Sequence, residues 1–175
     1  MRKSVLFLVT ILFFLTVLSV AAHDGEGETA VAANITLLAV SGGLSLLTVG
    51  IVYSLTTQSS ELWQLGIISL TAFSGFIHIG FGLRGDTLLL LNGLGYLGLL
   101  ALLILPFLAA QRQWLRGLLL LYTLVTFIGY FVLHTPDHYS DTALLTKAIE
   151  AGLLICLGVQ IWQVAKIGRE QTALA

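Results

Sequence analysis

The sequence is short of charge and of cysteine, and each shortage excludes something. Asp, Glu, Lys and Arg make up 10% of its 175 residues, where a soluble domain carries about 25% to keep a water-facing surface. Lipid is therefore the solvent this composition suits. A formal net charge of −1 supplies no basic field for nucleic acid. The single cysteine, Cys156, excludes an intramolecular disulfide framework, and its apolar surroundings read as those of a small buried hydrophobe. No repeat or low-complexity tract divides the chain, and no Ser-His-Asp order or paired-carboxylate spacing supports a hydrolase. What is abundant is apolar side chain, 57% of the total.

Residues 1–22 read MRKSVLFLVTILFFLTVLSVAA. Arg2 and Lys3 form a basic n-region, Val5 to Leu18 an apolar h-region, and Val20-Ala21-Ala22 a run of small residues before the acidic HDGEGE. This pattern predicts a signal peptide cleaved after Ala22, with an uncleaved first helix as the alternative. Residues 23–175 then form a single transmembrane domain. Either way, residues 23–30 are expected outside the cytoplasm.

Five further apolar stretches have the ~20 residues a bilayer crossing needs, at about 31–55, 62–83, 87–109, 115–134 and 143–165. The fold class expected is all-α, a polytopic membrane helix bundle of about five spans. Pro136 ends the fourth span, and Pro106 marks a kink or exit from the third. Arg112 and Arg116 lie between the third and fourth spans, and Lys166 and Arg169 follow the fifth. With the N-terminus outside, both basic pairs are cytoplasmic, as the positive-inside rule requires. Trp63, Trp114 and Trp162 then fall near cytoplasmic helix ends, where an aromatic belt lies.

Helical rise places the polar residues in depth. His78 precedes Arg84 by a turn and a half and lies roughly 9 Å below the outer helix end, and Glu150 lies at roughly 10 Å. Asn92 enters the third span by a similar amount. Lys147 is one turn above Glu150, and Tyr130 is one turn below His134. Ionisable groups in a bilayer face a partner or a water-filled cavity, so His78, Asn92, Tyr130, Lys147 and Glu150 are predicted to form one intramembrane polar cluster. The plainer alternative is an i,i+3 ion pair of Lys147 and Glu150, with His78 fixing helix packing. Gly93, Gly95 and Gly98 follow no phosphate-loop spacing and are read as sites of close helix approach.

Three function classes remain. His23, His134 and His138, at the outer rim, carry ligand types that suit copper or zinc, with His23 able to chelate through its amine once cleavage exposes it. Pro136 keeps His134 and His138 from sharing a helical face. A haem held by His78 and His134 is disfavoured, because the two differ in depth by about 9 Å. The reading placed first is binding of a metal or small ligand on the extracytoplasmic side, without catalysis. The alternatives are an accessory subunit packed against a membrane partner or a second copy, and proton or ion handling by the cluster. Asn34-Ile35-Thr36 matches a glycosylation sequon but enters the first span.

The run His78-Ile-Gly-Phe-Gly82, then Leu91-Asn-Gly-Leu-Gly-Tyr-Leu-Gly98, an Arg-containing turn and Lys147 early in the last span resembles small uncharacterised multi-pass membrane proteins of halophilic archaea. The resemblance covers roughly residues 70–165 and rests on helix pattern. It implies the helical architecture and no particular activity. The chain departs from it in lacking a strongly acidic surface and in carrying the HDGEGE segment.

Overall fold

A computed structural model of the chain describes residues 28–55, 62–135 and 140–173. Among them lie helices α1 (Glu28–Leu55), α2 (Leu62–Gly82), α3 (Thr87–Ile104), α4 (Arg112–Leu133) and α5 (Asp141–Ala173), with a 3-10 turn at Pro106–Gln111. All five α-helices are long and apolar enough to cross a membrane. In hydrocarbon a helix satisfies its own backbone, and the chain is an all-α, multi-pass integral membrane protein.

Two boundaries differ from the sequence expectation by more than a turn, the others by three residues or fewer. The third span ends at Ile104 rather than 109, because Pro106 keeps the preceding residue out of the helical region. Leu105 is accordingly extended (φ −60°, ψ 125°). The last helix runs past 165 to Ala173, where Arg169 Nε donates to Ala165 O at 3.3 Å and Lys166 lies 3.9 Å from Glu170.

The α2–α3 turn is tight. Gly85 holds φ +118°, a conformation that glycine adopts without penalty. Asp86 then caps α3 by accepting from Leu89 N at 3.1 Å. Arg84 in this turn reaches across to α1, donating to Asn34 Oδ1 at 2.8 Å and Ala33 O at 2.9 Å. Asn34 of the sequon is thus buried and engaged.

Helix α2 is the centre of the bundle and packs against α1, α3 and α5, while α4 lies against α5 and α3. Lipid is as apolar as leucine, so close backbone approach and polar contacts do more here than hydrophobic burial. At the α2–α3 crossing a methyl group on Gly93 would stand 2.6 Å from Gly75 O and 2.7 Å from Ile79 N. Gly95 lies under the Tyr122 ring, but Gly98 has nothing within 4 Å of its missing side chain, so it mediates no close approach among the described residues.

The space enclosed by α2–α5 changes character along its length. Toward the Arg112 end, Ile67, Leu119, Leu153 and Leu157 meet the Tyr96 ring in one buried cluster. Toward the Arg84 end, the same stripes of each helix turn polar. Thr71, Ser74 and His78 continue the stripe of Ile67, Thr123 and Thr126 that of Leu119, and Glu150 and Thr146 that of Leu153.

Candidate functional site

Lys147 and Glu150 sit one turn apart in the first third of α5, on one face. Lys147 Nζ donates to Glu150 Oε2 at 2.7 Å, with the two side chains 8% and 0% exposed. The other carboxylate oxygen, Oε1, lies 3.4 Å from Nε2 of His78, which comes from α2. The second nitrogen of that ring, Nδ1, is 2.7 Å from the carbonyl oxygen of Ser74. A carbonyl only accepts, so the hydrogen bond assigns a proton to Nδ1.

This assignment decides the chemistry of the other side. In a neutral ring so protonated Nε2 carries a lone pair, and Glu150 Oε1 stands 3.4 Å from it without a hydrogen bond. A proton on either group, on His78 as imidazolium or on Glu150 as carboxylic acid, would make that approach attractive. With Lys147 as ammonium, the three groups sum to zero formal charge without that proton and to +1 with it.

The neighbours come from the remaining helices. Lys147 Nζ also donates to Thr126 O at 3.3 Å and stands 5.2 Å from the centre of the Tyr130 ring, both on α4. A cation over an aromatic face is attracted by the ring quadrupole. The Tyr96 ring of α3 lies 5.7 Å from the His78 ring, and its hydroxyl is 2.8 Å from Thr126 Oγ1. Thr126 Oγ1 already donates to Thr123 O at 3.0 Å, so Tyr96 is the donor in that pair. Tyr122 meets Tyr96 edge-on at 5.1 Å and donates to Asn92 O at 3.0 Å.

Of the residues expected to cluster, His78, Lys147 and Glu150 touch directly and Tyr130 joins through its ring face. Asn92 enters only through its backbone oxygen, and its side-chain Oδ1 is buried without a hydrogen-bond partner. The sequence reading passed over Tyr96 and Thr126, which tie α3 to α4 beside the ion cluster. The spacing of Thr123, Thr126 and Tyr130 along one face of α4 was the available signal.

The rim histidines are a separate matter. His134 is exposed, donates from Nδ1 to Tyr130 O at 3.1 Å, and stacks on the Tyr130 ring at 4.6 Å. His23 and His138 lie outside the described residues. Among those described, no group of three or more His, Cys, Asp or Glu is placed to hold a metal ion. As a haem ligand His78 would have to give up its Nδ1 hydrogen bond to Ser74 or turn Nε2 away from Glu150.

The arrangement sets an imidazole, a carboxylate and an ammonium beside one another. What it can do is hold a proton inside an apolar bundle. No family model, curated protein or solved structure matches this chain.

Proposed function

We propose that this membrane protein binds a proton reversibly at the His78–Glu150–Lys147 cluster and does so from the extracytoplasmic side. The observation that carries the reading is the pair of contacts made by His78. With Nδ1 donating to Ser74, Nε2 lies 3.4 Å from Glu150 Oε1 without a hydrogen bond, an approach that a proton on either group would make attractive. Intramembrane ionisable groups are costly to keep and ordinarily serve function.

Sidedness follows from charge. Arg112 and Arg116 open α4, and Lys166 and Arg169 lie late in α5, at the same end of the bundle. The positive-inside rule puts that end in the cytoplasm, and the cluster is nearer the opposite end. Between the cluster and the basic end lie Ile67, Leu119, Leu153 and Leu157, each at most 4% exposed. That apolar barrier supports a dead-ended site, suited to sensing or storing a proton, over a conduit.

The test is a potentiometric titration of the purified protein in lipid nanodiscs, wild type against His78→Gln. The expected difference is about one proton per chain, accompanied in infrared difference spectra by a carboxyl band that Glu150→Gln removes. Superimposable titrations of two folded proteins would leave the cluster as packing alone.

A further inference from the structure

Below His78, three buried side-chain oxygens have no hydrogen bond within the described residues: Ser74 Oγ, Thr71 Oγ1 and Glu150 Oε1, the last with only His78 Nε2 nearby at 3.4 Å. All three residues are 0% exposed. The usual fate of a helical hydroxyl is to donate to the carbonyl one turn back. Thr48, Thr123 and Thr146 do so, at 2.8, 2.8 and 2.9 Å. Ser74 and Thr71 do not, and buried polar groups in native proteins are otherwise satisfied by protein or by ordered water.

Their position says what could satisfy them. Ile67, Thr71, Ser74 and His78 form one stripe of α2. Ile67 packs in the cluster with Leu119, Leu153 and Leu157, and His78 meets Glu150. Thr71 and Ser74 therefore face the same enclosed interval, bounded on one side by the ion cluster and on the other by the apolar barrier. Glu150 is one turn from Leu153 on the α5 stripe that borders it.

We infer that ordered water is bound in this interval, donating to Glu150 Oε1 and accepting from the hydroxyls of Ser74 and Thr71. A buried water needs two to four polar partners, and two hydroxyls with a carboxylate oxygen supply acceptor and donors together. A cation is a poorer occupant. The carboxylate is already balanced by Lys147 at 2.7 Å, and a second positive charge would be repelled. Thr71 is two turns beyond His78, so this water extends the polar path by roughly 10 Å toward the Arg112 end before Ile67 closes it.

The water also gives the proton a place to spread. A proton given up by bulk hydronium reaches His78 Nε2 or Glu150 Oε1 from the outer side, leaving a neutral water behind, and from there it can pass to the enclosed water and return. Each water that hands one on regains one, and Lys147 stays ammonium throughout. This role rests on the proton-binding reading, whereas the presence of the water does not.

The experiment is water-edited NMR on isotope-labelled protein in lipid, with folding checked by circular dichroism. Magnetisation transfer from water to the Glu150, Ser74 and Thr71 side chains is expected in the wild type. In the Ser74→Ala, Thr71→Val double variant, transfer to Glu150 is expected to be lost. Absence of transfer to Glu150 in the folded wild type would overturn the inference without needing any variant to fold. So would transfer that survives the double variant, or a Glu150 carboxyl shift that follows replacement of choline by sodium, which would mark a cation. If His78→Gln leaves proton uptake unchanged while the water signals are present, the proton reading falls and the bound water stands.

Discussion

His78 and Glu150 approach each other, Nε2 to Oε1 at 3.4 Å, from helices that run in opposite directions through the bundle. The contact ties α2, the central helix, to α5. Lys147 carries the link on to α4 through Thr126 and Tyr130. Interhelical polar contacts in membranes average only about 0.6 kcal/mol in double-mutant cycles. The weight of this cluster therefore shows when one member is removed and its partner is left charged.

Glu150→Ala is expected to destabilise the protein by about 3–5 kcal/mol, because Lys147 is left as an unpaired buried cation. Replacing both residues at once, Lys147→Met with Glu150→Leu, should cost less than Glu150→Ala alone. Unfolding by SDS titration in mixed micelles measures both. A single variant as stable as the wild type would contradict the buried pair.

Gly93→Ala should destabilise by about 1–3 kcal/mol, the ordinary penalty for overpacking. Its new methyl group would stand 2.6 Å from Gly75 O, a backbone atom that cannot turn aside. Gly98→Ala meets nothing within 4 Å and should be neutral. Thermal unfolding of the two variants in one detergent separates a glycine that lets helices touch from one that does not.

Arg84→Ala removes two hydrogen bonds to the start of α1, at 2.8 and 2.9 Å. Because Arg84 itself is exposed, the loss should be only about 1 kcal/mol. It should appear locally, as faster hydrogen exchange in the first turns of α1, with the α2–α3 crossing unchanged. Exchange that rises evenly over the whole bundle would mean that the contact supports more than the α1 terminus.

Orientation can be tested by cysteine labelling in a Cys156→Ala background. Ser140 and Gln113 are both exposed and lie at opposite ends of α4 and α5. Ser140→Cys should react with a membrane-impermeant maleimide on intact cells, and Gln113→Cys only after lysis. The reverse pattern would invert the sidedness assigned to the proton site.

The helical plan was largely legible before any coordinates. Leu62–Gly82, for example, is framed by polar TTQSSE and by Arg84-Gly85-Asp86. The depths of His78 and Glu150 could be matched by counting residues at 1.5 Å each. Counting did not reveal that Asn92, at a similar depth, would offer Tyr122 its backbone oxygen and leave its side-chain Oδ1 without a hydrogen bond, or that Tyr96 and Thr126 would stand beside the ion cluster. Depth is set along a helix axis, but contact depends also on rotation about it.

The spans follow from the sequence because hydrocarbon thickness and backbone hydrogen bonding leave a helix little choice of length. Rotation follows far less, because leucine, isoleucine and valine lie on several sides of these helices. In water an apolar stripe marks the face to be buried. In lipid the outward face is as apolar as the inward one, and the stripe disappears. The scarce polar residues and the glycines carry most of the remaining information, and they orient a helix only by finding partners on others. The Ser74 carbonyl that takes Nδ1 of His78 lies one turn back on α2 itself, as Tyr130 does for His134, but the partner beside Nε2 was decided only when α2 and α5 packed together.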